Sequence, residues 1–335
     1  MSPGIFMITE QGLVKSLKGP ANIFAIPGKD GLIYDAGYGD RRSIRRAIED
    51  LDQVRQVCES RGEPFGFTRI LISHAHEDHF SGMARLRKRL GVKIMVTEKM
   101  AGIISSRRAF MNTYLVEDVW ERKGLQGWVL LVLKKCMKTL SEVIFTRFFG
   151  MSFITDPDEI ISENCSISIN SEDWEVFPSP GHSDDHISLY NRKRGVLLGG
   201  DNILRTINTW LGPPKSDIRA YIRTLEKIGN LPGLEIVLPA HGAPVNDPSG
   251  RIAELVQWRT RRIDEIYDMV AGSAGCGVSG RQLMERLYPG GGWVKRYLGS
   301  GWVKLTLQLL VDEGRLSRKG AGKDALYSAN GKRKN

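Results

Sequence analysis

The 335-residue sequence is poor in cysteine, and its few cysteines are far apart. They are Cys58, Cys136, Cys165 and Cys276, and no two of them form a CxxC pair. Disulfide frameworks and structural zinc knuckles depend on closely spaced cysteines. The sequence therefore disfavours both classes, and we interpret the four cysteines as ordinary buried thiols.

Long apolar runs are lacking as well. The longest, from Trp128 to Leu133, has six residues, and a helix that crosses a membrane needs about 20. The first residues, MSPGIFMITEQGLVKSL, lack the basic start followed by an apolar stretch that marks a secretory signal. We therefore expect a soluble, cytoplasmic protein with no membrane span.

An excess of charge is missing from most of the chain. The net charge is +10, but residues 271–335 hold 12 Lys and Arg against 4 Asp and Glu, and the remaining residues hold 36 against 34. The body is thus nearly neutral and the tail is basic. Such a tail is typical of a polyanion-binding surface or of a solubility feature.

The length suggests two domains, or one domain with an appendage. Short strand patterns occur on both sides of an apolar, mostly helical stretch at about 100–160. We interpret this stretch as an insertion, which is either a helical pair packed on the core or a lid that shapes an apolar pocket. The predicted catalytic domain spans residues 1–270.

Residues 271–335 show a different pattern. They predict a helix over 279–288 with Ser279 as its N-cap, a second helix over 300–313 and a hairpin over 314–328. This order resembles a winged helix, and we predict a basic winged-helix domain here.

Three of the six histidines lie within one short segment, Ser73-His74-Ala75-His76-Glu77-Asp78-His79, directly after an apolar strand. Neutral imidazole and carboxylate are ligands for Zn²⁺, Fe²⁺ and Mn²⁺. His74 and His76 project the same way on an extended backbone, so one metal ion can take both. Asp78 and His79 follow where the chain turns into a helix, and they can reach a second ion.

HAHEDH followed by FSG resembles the HxHxDH signature of the metallo-β-lactamase superfamily. Three further motifs follow in that family's order: PGHSDDH with His182 and His186, GGD with Asp201, and PAHG with His241. The resemblance covers roughly residues 20–270 apart from the insertion. It implies an α/β fold, the αββα sandwich, and a binuclear metal-dependent hydrolase.

The resemblance also implies a ligand set. One metal ion would take His74, His76 and His182, the other would take Asp78, His79 and His241, and Asp201 would bridge them. A bridging hydroxide would then attack the substrate. We expect two divalent ions, zinc first, with iron and manganese left open. We count Asp78, Asp201 and His186 as catalytic.

Two residues outside the ligand set stay open between two interpretations. His186 either supports the site or contacts substrate, as its resemblance to glyoxalase II implies, or it is a plain buried histidine. Asp35 either supports the ligands, as the family often has it, or it is a simple turn residue. The oxyanion donor is unassigned, with Tyr114, Asn208 and Trp210 as candidates.

The stretch GDNIL and the segment LPAHGAPV, followed by a helix with Trp258 and Arg259, are similar to β-lactamase-like protein 2 and its bacterial relatives. Those proteins also carry a C-terminal winged helix. We expect hydrolysis of a thioester, ester or lactone carbonyl in a small molecule with an apolar or acyl group. The apolar insertion and the glyoxalase II-like PGH motif favour this.

Three other functions are weighed. The first is a metal-dependent endoribonuclease with nucleic acid held by the basic tail. The second is an iron-dependent oxidoreductase, although flavo-diiron relatives usually have Glu where this chain has His76. The third is a non-enzymatic DNA-binding regulator. A homodimer through the winged helix or the insertion is also left open.

Overall fold

The computed structural model describes residues 4–10, 19–114, 143–144, 146–273, 277–290, 293–322 and 325–331. Contacts divide the chain into two compact units. The first unit comprises residues 1–178, 185–206 and 232–246, and the second comprises residues 179–184, 207–231 and 247–335.

The first unit contains a six-stranded sheet in chain order. Its strands are β1 (Phe6–Glu10), β2 (Ala21–Ile26), β3 (Leu32–Tyr34), β4 (Arg69–Leu71), β5 (Lys93–Thr97) and β6 (Glu159–Ile161). β1, β2 and β3 are antiparallel neighbours, and β3 to β6 run parallel. The carboxyl ends of the parallel strands therefore lie along one edge.

Five helices follow strands of this sheet: α1 (Arg41–Ser60), α2 (Glu77–Phe80), α3 (Met83–Leu90), α4 (Glu98–Ile104) and α5 (Arg107–Tyr114). The sequence predicts one helix over 79–90, but the structure separates α2 from α3 at Ser81 and Gly82. A Cβ atom on Gly82 would lie 2.0 Å from the Ala36 carbonyl oxygen, so the chain passes too closely here for a larger residue.

A second, five-stranded sheet completes the first unit. Its order is β11 (Ile236–Pro239), β10 (Val196–Gly200), β9 (Ile187–Asn191), β8 (Glu172–Pro178) and β7 (Cys165–Ile169). β10 and β11 are parallel, and the other neighbours are antiparallel. Phe24 and Ile70 of the first sheet share one buried cluster with Trp174 and Leu189 of the second. Two sheets packed on a common core are consistent with the metallo-β-lactamase fold.

The insertion predicted at about 100–160 is only partly visible. α4, α5 and residues 143–144 and 146–149 are helical, as predicted, and residues 115–142 and 145 lie outside the described residues. Residues 159–161, however, form β6 and belong to the first sheet. This three-residue strand is too short for the alternation that marks a strand in a sequence.

The second unit contains α6 (Ile218–Gly229), α7 (Pro248–Ala271), α8 (Gly280–Leu287) and α9 (Trp293–Asp312), with strands β12 (Val278–Ser279), β13 (Leu316–Lys319) and β14 (Leu326–Ala329). Ser279 caps α8 as predicted, in a capping box with Gln282. The winged helix and the boundary at residue 270 stay predictions. No helix in the described ranges is long and apolar enough to cross a membrane.

α9 begins at Trp293, before the predicted start at Ser300. Glycines at 299 and 301 suggest a later start, because glycine is a poor helix former. The structure gives them another use: a Cβ atom on Gly299 would lie 2.6 Å from the ring of Tyr288, and one on Gly301 would lie 3.3 Å from the Gly212 Cα. Close packing explains both glycines inside the helix.

Candidate metal centre

The candidate ligands of the first unit lie where strands end. His74 lies shortly after the end of β4, Asp201 follows β10 directly, and His241 comes two residues after β11. Because the carboxyl ends of parallel strands meet at one edge of a sheet, β10 and β11 place their motifs side by side. The backbone N–H of Ile187, at the start of β9, donates to the Ser73 carbonyl at 2.8 Å and ties the second sheet to the histidine segment.

Asp78, His79 and His241 each offer one ligand atom, and these atoms lie within 4.8 Å of one another. The His241 Nε2 atom is 3.3 Å from Asp78 Oδ2 and 3.2 Å from Asp201 Oδ1. The His79 Nε2 atom is 3.5 Å from Asp78 Oδ1 and 3.6 Å from Asp201 Oδ1. Asp201 therefore faces this group directly.

Asp201 also belongs to a second cluster. Its carboxylate and the rings of His74 and His76 offer ligand atoms within the same 4.8 Å range, and His74 Nε2 lies 2.7 Å from His76 Nδ1. The structure thus brings together six of the seven predicted ligands within the first unit. His182 belongs to the second unit.

Backbone carbonyls orient two of the histidines. The Nδ1 atom of His241 lies 2.6 Å from the Pro20 carbonyl oxygen, and that of His182 lies 2.8 Å from the Trp210 carbonyl oxygen. A carbonyl only accepts, so each Nδ1 must carry the proton. In the neutral ring the lone pair is then on Nε2, the atom left to hold a metal ion.

Side chains do the same for His79 and His74. The His79 Nδ1 lies 3.1 Å from Asp35 Oδ2, and the His74 Nδ1 lies 3.0 Å from the Ser73 hydroxyl. Asp35 also accepts from the Ser73 backbone N–H at 2.7 Å and from its hydroxyl at 3.2 Å. Asp35 is buried, with a φ of 62°, and it supports the histidine segment directly.

The Nε2 atom of His79 shows that these residues fit a cation. This atom is fully buried and has no hydrogen-bond partner among the described residues. Leaving a buried polar atom without a hydrogen bond costs roughly 1–3 kcal/mol. Its nearest neighbours are the carboxylates of Asp78 and Asp201, so a divalent metal ion held among them would satisfy all three groups.

The electrostatics of the site also favour a bound cation. Burial lowers the pKa of His79, but the carboxylates of Asp78, Asp35 and Asp201 outweigh it and raise that pKa to about 9. Burial also opposes protonation of His241, but Asp201 and Asp78 raise its pKa far above the ordinary value. Burial raises the pKa of Asp78, and His79 and His241 bring it below its usual range. Without metal, protons on the histidines balance the carboxylates.

His186 is buried next to this edge but is engaged by the backbone. Its Nε2 accepts from the Asp201 N–H at 3.1 Å, and its Nδ1 lies 3.1 Å from Asn202 Nδ2. Gly200, with a φ of +53°, allows this approach, because a Cβ atom there would lie 2.4 Å from His186 Nε2. Both ring nitrogens contact the segment that carries Asp201, so His186 holds that ligand in place.

Replacing His186 by alanine should therefore lower turnover by about tenfold or more while the protein keeps its full metal content. The Asp201 N–H loses its acceptor, but no ligand is removed. Elemental analysis beside an activity assay checks this, with His186→Gln as the variant that can still accept a hydrogen bond. Loss of metal in both variants would make His186 a ligand.

Replacing Asp35 by asparagine should weaken metal binding by about 10–100-fold, because the neutral amide no longer holds the Nδ1 proton of His79 as a carboxylate does. Equilibrium dialysis against a metal buffer measures this. Asp30→Asn is the matched control, since Asp30 contacts Thr68 and Arg69 instead. Equal metal affinity in Asp35→Asn and the wild type would contradict a supporting role.

Two contributors escaped sequence reasoning. The Asp185 carboxylate, 1% exposed, accepts from the Ala75 backbone N–H at 2.8 Å and so holds the histidine segment from the turn before β9. The Ser73 hydroxyl lies between Asp35, His74 and His79. The acidic pair in PGHSDDH was the sequence signal that could have identified Asp185. For Ser73, the signal was its position beside His74.

The oxyanion candidates fall in different places. The Tyr114 ring lies 4.8 Å from the His76 ring between centroids. In the second unit, Asn208 Oδ1 accepts from Arg251 at 3.2 Å, and the Trp210 carbonyl contacts His182. Tyr114 is therefore the candidate whose side chain lies against a predicted ligand, whereas Trp210 contacts His182 through its backbone carbonyl.

Comparison with known proteins agrees with this geometry. The sequence profile of the Metallo-beta-lactamase superfamily matches residues 17–241. The Probable metallo-hydrolase YqjP of Bacillus subtilis is 23% identical over 260 residues, which is 75% of this chain and 76% of that protein. The Beta-lactamase-like protein 2 homolog of Caenorhabditis elegans is 24% identical over 154 residues, 46% of this chain and 50% of that protein.

Among solved structures, a metallo-beta-lactamase family protein from Thermus thermophilus superposes with a TM-score of 0.73 at 18% identity. The match covers 98% of this chain and 99% of that one. At this sequence identity the structural similarity shows a shared fold and gives no information about the substrate.

Proposed function

Since this chain belongs to the metallo-β-lactamase superfamily, we propose that it is a binuclear metal-dependent hydrolase acting on the carbonyl of a thioester, ester or lactone. The observation that carries the proposal is the orientation of four histidines. His74, His79, His182 and His241 each use Nδ1 on an oxygen, which leaves Nε2 for a metal ion.

The proposed ligands divide between two ions. The first ion would be held by His74, His76 and His182, and the second by Asp78, His79 and His241, with Asp201 shared. Asp201 Oδ1 lies 3.6 and 3.2 Å from His79 and His241 of the second set, and its carboxylate also groups with His74 and His76 of the first, which supports the shared position.

When bound, divalent ions, of which we favour zinc, acidify a water molecule and polarise the substrate oxygen. The other residues of the site hold and orient the proposed ligands. Asp35 keeps the proton on His79 Nδ1, and His186 fixes the backbone of Asp201. Asp185 fixes the backbone of Ala75 between two of the ligands.

A carbonyl substrate with an apolar group is supported by the side chains next to the histidines. The Tyr114 ring contacts Phe110, with ring centroids 4.9 Å apart, and Phe110 contacts Phe80 and Phe153. Phe80 and Phe110 are buried in the core, so Tyr114 is the ring of this cluster that lies beside His76. An aromatic ring at this position suits an acyl chain or an aromatic group better than a phosphodiester.

The test is release of free thiol from a panel of acyl and aryl thioesters, before and after removal of metal by a chelator and after its return. We expect release that the chelator stops and added metal restores, with Asp201→Ala as the blank. Lactones and esters form the second panel, and a single-stranded RNA the third. Metal-dependent cleavage of RNA alone would replace the proposed substrate class.

We also propose that residues 271–335 form the winged-helix domain. The order of β12, α8, α9, β13 and β14, with β14 in the middle of the three-stranded sheet, supports it. Its basic composition would serve for docking an acidic partner.

A further inference from the structure

A second site lies in the first unit, at the start of α1. An open cleft of about 610 Å³ is lined by Arg41, Arg85 and Arg147, together with Asp40, Thr146 and Met151. This volume is within the range of small-molecule pockets, about 300–1,000 Å³. No candidate metal ligand lines it.

The cleft carries a net positive charge. None of the three arginines forms an ion pair with a residue in the described part of the chain, whereas Arg69, Arg87 and Arg194 all do. The Asp40 carboxylate is turned to the helix, where it accepts from the backbone N–H groups of Arg42 and Ser43. Planar guanidinium groups are suited to bidentate contacts with phosphate or carboxylate.

The arginines at the start of α1 are in an unfavourable position for the stability of this helix. Arg41, Arg42, Arg45 and Arg46 all lie within the first six residues of the helix, and its first turn has no acidic residue. The helix dipole favours anions at this end and opposes cations. The Asp40 carboxylate already caps the first N–H groups of this helix. An anion bound in the cleft would lower the remaining cost by pairing with the arginines.

The walls of the cleft are held together by the backbone. The Gly39 N–H donates to the Phe149 carbonyl at 2.9 Å, and the rings of Tyr38 and Phe149 stack with centroids 5.6 Å apart. Arg85 donates to the Gly39 carbonyl. A Cβ atom on Gly150 would lie 2.2 Å from the Asp40 nitrogen. The two walls are therefore in contact before any ligand arrives.

The cleft and the metal centre share one loop. Asp35 begins the segment that ends at Asp40, and this segment is tied to the histidine helices by two hydrogen bonds, Ala36 N–H to the His79 carbonyl at 2.8 Å and Gly82 N–H to the Gly37 carbonyl at 3.0 Å. Asp35 follows β3 directly, and Arg41 begins α1 shortly after it. One short segment therefore runs from the metal centre to the cleft.

We propose that this arginine cleft binds the phosphate groups of a small phosphorylated molecule. If the proposed function holds, on which this second part rests, that molecule is a thioester or ester whose non-reacting end carries phosphate. Binding energy at the cleft would then position the carbonyl at the metal centre.

The test is calorimetric titration of the metal-loaded full-length protein with ADP, with adenosine as the phosphate-free control. We expect the Kd of ADP to rise about tenfold or more in Arg41→Gln/Arg147→Gln, because two charge-assisted contacts are lost. Arg89→Gln, on an exposed position of α3 outside the cleft, should leave it unchanged. Circular dichroism and the Tm verify that each variant is folded.

Two outcomes would overturn the proposal. An unchanged Kd in the double variant would mean that ADP binds elsewhere, the metal ions included. An equal loss in Arg89→Gln, with tighter binding of a single-stranded RNA than of ADP, would mean a diffuse nucleic-acid surface.

The kinetic arm separates this proposal from the proposed function. Acetyl coenzyme A and the phosphate-free S-acetyl-N-acetylcysteamine carry the same acyl group. The double variant should raise KM for the first about tenfold and leave the second unchanged. If neither is hydrolysed, the proposed thioester substrate fails, and the ADP titration still decides the cleft.

Discussion

Asp201→Ala should lose bound metal and lower hydrolysis by more than about 100-fold. Loss of a residue that only supports a metal ligand costs at most about 100-fold, and loss of a ligand should cost more. The reason is geometric. Asp201 Oδ1 is within 3.6 Å of both His79 and His241, and its carboxylate also belongs to the cluster of His74 and His76. One substitution therefore affects both proposed ions.

Metal content by elemental analysis and turnover of the best thioester measure the effect. Asp173→Ala is the matched control, because Asp173 is an exposed aspartate in β8 away from the ligands. A variant with full metal and full turnover would remove Asp201 from the ligand set. Loss of turnover with full metal would keep Asp201 as a catalytic group only.

Removing the metal should destabilise the protein, and more so at higher pH. A ligand at about 100 times its Kd stabilises the folded state by about 2.7 kcal/mol, which corresponds to a rise in Tm of about 4 °C for a protein of this size. In the metal-free protein the raised pKa of His79, about 9, adds a second effect.

The direction of this pH dependence follows from the linkage between proton binding and folding. Protonated His79 stabilises the metal-free fold fully below its unfolded pKa of about 6.5, and this contribution disappears as the pH rises through about 9. At roughly 1.4 kcal/mol for each pKa unit, His79 alone accounts for about 3 kcal/mol. A bound cation replaces the proton, so the loaded protein should not lose this stability.

Thermal unfolding of chelated and metal-loaded protein at pH 6.5, 7.5 and 9 therefore gives a Tm difference that grows with pH. The His79→Gln variant is the control for the contribution of His79 protonation. In this variant the Tm of the chelated protein should depend less on pH. A Tm difference that shrinks as the pH rises would contradict the linkage between protons and metal.

The candidate ligands could be named from the sequence because residue types that bind metal ions occur together in short segments. His74 to His79 stand together, and the other motifs each pair a ligand with glycine or proline at the end of a strand. Apolar and β-branched runs between turns also mark buried strands such as β2 and β10 in the sequence.

What could not be predicted depends on contacts between distant segments. Asp185 supports Ala75 from 110 residues away, and no spacing rule shows such a pairing. The break at Gly82 and the early start of α9 arise from close backbone approaches, which the sequence shows only as glycines. The arginine cleft joins Arg41, Arg85 and Arg147, three residues that share no motif.

The carbonyls that orient His241 and His182 have a consequence for how this sequence can vary. Any amino acid supplies a backbone carbonyl, so these two contacts do not themselves fix the identity of Pro20 or Trp210. The spacing is fixed instead, because Pro20 directly precedes β2 and an insertion between them would move the oxygen that His241 contacts. Selection on the metal centre would then be recorded at these positions as constant spacing, not as constant composition.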